Sequence, residues 1–393
     1  MGIIIRYILR NLGVTFLIGF IAFTCLLLIV GVIKEAIERD LPWFYVVQLI
    51  PFVFAEMSSI SLPVTLLLAV TTFFARMSGN NEVIALKALG IAPRAFLVPV
   101  FAISFVISVI GVGINELSVT WGYQGINTVI YHASEDILIS KLKKKHRFDT
   151  DDGQMAILVK GVDEQRRLIK PTILLKNESA TVEAESAQLS IDFSTDTLTV
   201  TLIDFRVTGE KGTFKYAGLQ QTLDISLSKV IPSSDPNRPA NMSLYRISGE
   251  KKNAMEQMEH LRRIIAAHRT FGACMGSVDD WAAQPIADAK EGMQPHQSHY
   301  GRLSVEPPRR WATGFCCFFF VWLGTPLAIW MRKSDFFSSF FACFVPILLL
   351  YYPLLAFGLQ QAKNGTLPPN CVWFANAGIG LIGLWFWRQI HRY

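Results

Sequence analysis

The sequence contains little charge for its length. Of its 393 residues only 17% are Asp, Glu, Lys or Arg, whereas 51% are hydrophobic, and the mean hydropathy is +0.35. An ordinary soluble domain contains about 25% charged residues. The low charge therefore excludes an ordinary soluble protein and indicates a protein that lies in a membrane.

Motifs for nucleotide binding and hydrolysis are also absent. The sequence has no G-x-x-x-x-G-K-[ST], no H-E-x-x-H, no G-x-S-x-G and no Cys/His cluster with metal spacing. Glu56 is the only acid deep within an apolar run, and no second catalytic group lies in any such run. We therefore expect no enzymatic activity, no metal and no cofactor bound by this chain, and an intramembrane enzyme built on Glu56 is the least favoured alternative.

Cysteine is scarce in the hydrophilic central part of the chain. Five of the six cysteines lie in or beside apolar runs, and only Cys274 lies in the hydrophilic part. A single thiol forms no disulfide within that part. Its stability must therefore come from a packed core.

Long apolar runs predict six transmembrane α-helices, three before and three after the hydrophilic segment. Most runs are about 20 residues or longer, enough at about 1.5 Å per residue to cross a hydrocarbon core of about 30 Å. The runs are 11–33, 43–75, 95–115, 311–331, 336–359 and 371–387. The predicted division is 1–116 for the first three spans, 117–308 for the central domain and 309–393 for the last three spans.

The distribution of Lys and Arg predicts the orientation in the membrane. Most of the flanking cations, such as Arg6, Arg76 and Arg388, lie on the side that holds both termini, and fewer lie in the short loops of the other side. Positive flanks face the cytoplasm. Both termini are therefore expected in the cytoplasm and the central domain outside it.

The central domain changes from helical to alternating periodicity at Met155. Five alternating runs, 155–162, 168–176, 180–191, 196–207 and 212–227, are separated by turn signals at 151–153, 176–178 and 209–212. Short period-2 strands of this kind predict an antiparallel sandwich or open barrel of the β-jelly-roll type at about 150–232. Its interior is either filled or hollow, and filled is the commoner arrangement.

The rest of the central domain, about 245–308, is expected to be helix and loop. Met255, Met258, Leu261 and Ile265 lie on one face of a helix. The stretch 270–302 shows no periodicity, so we expect a loop there.

The segment 78–96 between the second and third spans predicts a short helix at about 80–90. Ser78, Asn80 or Asn81 is expected to cap its start, and Gly90 its end. Its apolar residues need a cover that water does not provide: Val83, Ile84, Leu86 and Leu89. That cover is either a groove of a partner protein or the lipid interface, and both alternatives are open at this point.

Four cations lie at the predicted outer ends of spans: Lys34, Arg39, Arg309 and Arg310. At this depth the four side chains either bind lipid phosphates, or bury their aliphatic stems in the membrane and extend only their charged groups to the interface. A second basic run, 141–147, is followed by DTDDG, so a solvated and locally neutralised surface is favoured over lipid binding.

Three segments in this order, 61–91, 307–329 and 351–377, resemble the lipopolysaccharide export permease family, LptF/LptG or YjgP/YjgQ. The resemblance covers nearly the whole chain. It implies the permease half of an ATP-driven exporter in the bacterial inner membrane, with a periplasmic jelly roll whose greasy interior passes acyl chains onward. The stretch 270–302, Glu56 and the run 141–147 have no counterpart that assigns them a role, and the two sister permeases are not distinguished.

The resemblance also implies site residues and partners. Glu82 falls on the acidic position of the family's cytoplasmic coupling helix, so the expected ATPase contacts are Asn81, Glu82, Val83, Leu86, Lys87, Leu89 and Gly90. Lys34 and Arg39, joined by Arg309 and Arg310, are expected to bind lipid phosphates. The implied partners are a cytoplasmic ATPase dimer that uses ATP and Mg, a second related permease chain, a single-span periplasmic bridge protein and lipopolysaccharide, with no nucleic acid.

A different class of function fits the same residues. Six spans that carry an extracytoplasmic ligand-binding β domain are also expected of a sensor or scaffold without transport activity. That alternative predicts a stable monomer or homodimer and no ATPase that copurifies with the chain.

Overall fold

The computed structural model describes residues 2–39, 41–149, 155–163, 167–175, 180–192, 197–208, 214–226, 238–275, 283–331 and 336–392. They form two compact units. The first unit comprises 1–28, 54–122 and 237–393, and the second comprises 29–53 and 123–236.

The helices occupy most of the described chain. They are α1 (Gly2–Arg39), α2 (Trp43–Gly79), α3 (Glu82–Ala88), α4 (Pro93–Leu117), α5 (Gln124–His132), α6 (Ser134–Lys145), α7 (Leu244–Met275), α8 (Ala283–Trp330), α9 (Phe336–Pro346), α10 (Tyr352–Lys363) and α11 (Phe374–Arg392). Two π-helical segments, Ser118–Tyr123 and Ile347–Tyr351, continue α4 and α9. The second follows Pro346, whose missing N–H disturbs regular helical bonding.

The prediction of six membrane-crossing helices is confirmed within the described residues. The helical stretches that are long and apolar enough to cross a membrane are Gly2–Glu38, Trp43–Gly79, Pro93–His132, Gln284–Trp330, Phe340–Lys363 and Pro369–Gln389. Each overlaps one predicted run.

The prediction of a loop at 270–302 is wrong for its described part. Helix α7 continues to Met275 and α8 begins at Ala283. The two helices run antiparallel. Lys251, near the start of α7, lies 5.3 Å from the ring centre of Tyr300, whereas Ile265, farther along α7, lines a pocket with the earlier α8 residue Met293. Gly and Pro weaken the helical pattern of this part of α8, so packing against α7 supplies the stability that local propensity lacks.

Helix α8 is longer than one membrane crossing requires. Its 48 residues span about 70 Å at about 1.5 Å per residue, more than twice a hydrocarbon core of about 30 Å. The first half of α8 is therefore expected to lie outside the bilayer together with α7.

The helices of the first unit pack at glycines. A Cβ atom on Gly314 of α8 would lie 2.9 Å from the Cα of Val112 in α4, so only glycine permits this approach. The indole of Trp322 donates to the carbonyl of Gly380 in α11 at 3.2 Å. In the same unit the hydroxyls of Thr24 in α1 and Ser61 in α2 lie 2.6 Å apart.

The second unit contains an eight-stranded antiparallel sheet among its described residues. Its strands are β1 (Arg147–Asp149), β2 (Met155–Leu158), β3 (Gly161–Val162), β4 (Arg167–Ile169), β5 (Thr172–Leu175), β6 (Ala180–Asp192), β7 (Thr197–Thr208) and β8 (Phe214–Ser226). The order is β1-β2-β5-β6-β4-β3, and β7 pairs with β6 and β8. All five predicted runs form strands, and the three predicted turn signals, 151–153, 176–178 and 209–212, lie outside the described residues.

Alternation of buried and exposed side chains explains why these strands form. Leu198, Val200 and Leu202, which are alternate residues of β7, are buried. Asp204 interrupts the alternation with a φ of 50°, and Phe205 is the next buried residue. Helix α6 contacts β1, β3 and β6 and contains the buried Leu138 and Leu142.

Candidate functional sites

The short helix between the second and third spans is present as α3, but its start differs from the prediction. Asn81 precedes α3 with a φ of 59° and makes no side-chain cap. The Ser78 hydroxyl instead donates to the carbonyl of Ile329 in α8 at 3.1 Å, and the Asn80 amide donates to Glu82 at 3.4 Å. The predicted side-chain cap is therefore wrong, and Ser78 ties the segment to α8.

The end of α3 confirms the prediction for Gly90. Gly90 has a φ of +78°. Its N–H donates to the carbonyl of Lys87 at 2.9 Å, and the N–H of Ile91 donates to that of Leu86 at 3.0 Å. This pair of bonds forms a Schellman motif, which requires the left-handed conformation that glycine adopts without strain.

The apolar residues of α3 divide between two environments. Val83 is only 4% exposed and belongs to the buried cluster that includes Phe74 and Phe96, and Leu86 packs against the same cluster. Leu89 is 76% exposed. The premise that a partner or lipid must cover all four residues is thus wrong, because the chain's own core covers Val83.

The outward face of α3 consists of small residues and Leu89. Asn81, Ala85, Ala88 and Leu89 are exposed at helical spacing, while Glu82 and Lys87 are half-buried at its margins. A short helix anchored on one side and exposed on the other is suited to bind a protein groove without rearranging.

Arg310 lies in a buried polar network rather than on an open surface. Its side chain is 3% exposed, and it donates to Glu116 of α4 at 2.5 Å and to the carbonyl of Met242 at 2.5 Å. Glu116 also accepts the N–H of Leu244 at 2.8 Å. These contacts join α4, the start of α7 and α8, so they favour a structural role for Arg310 over phosphate binding.

Arg309 is also engaged by a carboxylate. Its Nε and Nη2 donate to Glu306 at 2.9 and 2.6 Å, and the Glu306 side chain is 3% exposed. Arg309 itself keeps an accessible edge. Lys34 is exposed on α1 in the second unit, and the Arg39 side chain lies outside the described part of the chain.

Glu116 and Glu306 were missed by the sequence analysis. Each lies within a few residues of a predicted outer end of a span, close to the Pro-Pro-Arg-Arg sequence at 307–310 in the case of Glu306. Acids at the same depth as the cations of the span ends are the sequence signal that points to both residues.

The remaining singled-out residues have ordinary environments. Glu56 is half-buried, and its carbonyl accepts the Ser59 hydroxyl at 2.8 Å. Arg147, at the end of the basic run, pairs with Asp149 at 2.9 Å, and this hydrogen bond raises the pKa of Arg147. Within the described residues no group of His, Cys, Asp and Glu could hold a metal ion.

The second unit contains a cavity of about 1190 Å³ beside the sheet. Charged side chains, including Lys160, Lys170, Glu183 and Arg206, line it. These side chains are exposed, so the cavity is a groove on the surface of the second unit, whereas the buried side of the sheet is apolar, with Leu168, Leu198 and Val200.

Six apolar helices and a large strand-containing segment between the third and fourth of them define a multi-pass α-helical membrane protein. The family model of the lipopolysaccharide export system permease LptF/LptG matches residues 6–389, nearly the whole chain. The chain belongs to this family, and it is a multi-pass inner-membrane permease of lipopolysaccharide export. Comparison with curated proteins gives no match.

Proposed function

We propose that this chain is one half of an ATP-driven exporter that extracts lipopolysaccharide from the outer leaflet of the inner membrane. The exporter passes the lipid to a single-span periplasmic bridge protein. Moving acyl chains into water costs about 0.8 kcal/mol per CH2 group, which for a lipid with several chains far exceeds thermal energy. The chain has no G-x-x-x-x-G-K-[ST] motif, and in this proposal a separate cytoplasmic ATPase dimer uses ATP and Mg to supply the energy.

The contrast between the two faces of α3 carries the proposal. Val83 is 4% exposed and Leu89 is 76% exposed, so one face of α3 is fixed in the helical core and the other is free to receive a partner. The exposed face, with Glu82 at its margin, is the proposed contact with the ATPase. Force applied there reaches α2 and α4 directly, because α3 lies between them in the chain and packs on the same buried cluster.

Low burial of two spans supports a second permease chain. In the first candidate span, only 11% of the apolar 18-residue segment is buried, and in the fifth only 17%. In the fourth span the buried share is 72%. We propose that the first and fifth spans face the sister chain and the lipid cavity between the two chains.

The cations proposed to bind lipid phosphates are Lys34, Arg39 and the accessible edge of Arg309. Arg310 remains in the originally expected set, but its partners Glu116 and Met242 favour a structural role. In the proposed membrane orientation, both termini lie in the cytoplasm and the sheet of the second unit lies in the periplasm.

Glu82→Lys tests the coupling directly. A charge reversal at the margin of the exposed face should prevent ATPase copurification and lipid export, while the permease still accumulates in the membrane. Glu291→Lys, an exposed acid of α8, is the matched control and should leave both unchanged. Retained copurification and export in Glu82→Lys would remove the coupling proposal.

One observation favours the sensor or scaffold alternative. The open groove in the second unit carries exposed charged side chains, among them Lys160, Lys170 and Glu183, which suit a polar ligand better than an acyl chain. The two functions separate in a pull-down from mild detergent. An exporter subunit brings a nucleotide-binding subunit and a second six-span chain, whereas a sensor is recovered as a monomer or homodimer.

A further inference from the structure

A polar cleft lies beside the Glu116–Arg310 network in the first unit. Three elements form it: the 3₁₀ turn Pro239–Asn241, the middle of α8, and the end of α10 with the turn that follows. Its volume is about 690 Å³, within the range of about 300–1,000 Å³ that is typical of small-molecule sites.

Three cations line the cleft: Arg238, Arg302 and Lys363. Within the described part of the chain, none of the three side chains has an ion pair or hydrogen bond. Among the described residues of the lining, Glu306 is the one carboxylate, and it is 3% exposed and already engaged by Arg309. The described lining therefore carries uncompensated positive charge, which favours an anionic ligand.

Neutral amides line the same cleft. Gln297, Gln360 and Asn364 each present both donors and an acceptor, the combination that sugar hydroxyls require. Guanidinium groups bind phosphate oxygens through two parallel N–H bonds, and lysine binds them as a compact charge. Cations and amides together match a phosphate group attached to a sugar better than either group alone.

The backbone brings the cationic elements together. A Cβ atom on Gly301 would lie 3.3 Å from the carbonyl oxygen of Lys363, so α8 and the end of α10 approach closely next to Arg302. The chain then turns at Gly365, whose φ is +75° and whose N–H donates to the carbonyl of Ala362 at 3.1 Å. Arg302 and Lys363 are thus presented by two adjoining elements.

We propose that this cleft binds a sugar phosphate. The ligand is either the phosphorylated headgroup of a lipid or a free phosphate compound, and both share the phosphate monoester. If the ligand is the headgroup of the exported lipid, the cleft deepens the proposed function, and that assignment rests on it. Binding itself does not depend on transport or on the ATPase.

Binding of soluble probes to the purified full chain in detergent tests the site. Glucosamine 1-phosphate should bind and glucosamine should not. Arg302→Gln and Lys363→Gln should each weaken binding about tenfold to a hundredfold, because each removes one charged hydrogen-bonding partner. Lys252→Gln, at an exposed position of α7 outside the cleft lining, is the matched control and should bind like the parent chain.

Competition distinguishes the two sources. Displacement of glucosamine 1-phosphate by lipopolysaccharide supports a headgroup site, and displacement by soluble sugar phosphates alone supports a site for a free compound. Binding of inorganic phosphate as tight as that of glucosamine 1-phosphate contradicts recognition of the sugar. Absence of binding by both phosphates, or equal loss in Lys252→Gln, overturns the proposal. If Arg302→Gln fails to accumulate, Lys363→Gln alone decides. Failure here leaves the export proposal intact, since the Glu82→Lys experiment does not involve the cleft.

Discussion

Arg310 and Arg302 lie about two turns apart on α8, yet their surroundings are opposite. Arg310 is buried and bonded to a carboxylate and backbone carbonyls. Arg302 is exposed at the edge of a cleft, without an ion pair to any described residue. The difference teaches that a cation of α8 is available to a ligand only where no carboxylate or backbone carbonyl of another element engages it.

The largest effect is expected from Arg310→Gln. Removing one partner of a buried ion pair leaves the other charge uncompensated, at a cost of about 3–5 kcal/mol. Thermal unfolding of the purified chain should show a large loss of stability, and Arg302→Gln should change stability by less than about 0.5 kcal/mol. Similar melting temperatures for the two variants would contradict the contrast between these arginines.

A second, smaller effect is expected where α8 meets α4. Gly314→Ala places a Cβ against the backbone of Val112, and overpacking of this kind costs about 1–3 kcal/mol. Gly113→Ala is the control, because its Cβ would meet no atom within 4 Å. Equal unfolding temperatures of the two alanine variants would contradict the close approach of α8 to α4 at Gly314.

The two faces of α3 provide a third comparison. Val83→Ala removes two buried methyl groups and should cost about 2 kcal/mol. Leu89→Ala should leave stability unchanged, because the side chain is exposed, but should reduce ATPase copurification. Parallel melting and pull-down measurements check both variants. Loss of stability in Leu89→Ala with normal copurification would reverse the assignment of the faces.

The smallest effect is expected for the exposed pair Arg147–Asp149. Both side chains are more than half exposed, and solvent screens such pairs strongly. Asp149→Asn should leave the melting temperature unchanged at high and low salt. A salt-dependent loss would show that this pair contributes to the second unit as Glu116 and Arg310 do to the first.

Local patterns predicted the fold where local physics decides it. Apolar length predicted six spans, alternation predicted five strand runs, and Gly90 predicted the end of α3. The helical face of Met255, Met258, Leu261 and Ile265 predicted part of α7. The helical continuation through 270–275 and 283–302 and the pairing of α7 with α8 were not predictable in this way, because contacts between the two helices stabilise them.

The candidate sites were less predictable for a related reason. Glu116 and Arg310 are 194 residues apart in the chain, so their pairing leaves no mark in the local sequence around either residue. Burial of Val83 by the chain's own core and capture of Ser78 by α8 also depend on distant segments. The cations of the cleft lie on three separate elements that only the fold brings together.

The exposed face of α3 is tested most directly by site-specific photocrosslinking in native membranes. A photoreactive residue at Leu89 should capture a nucleotide-hydrolysing subunit, and the same residue at Phe271, exposed on α7, should not. If Leu89 captures only phospholipid in a folded permease, α3 is not the contact with the ATPase.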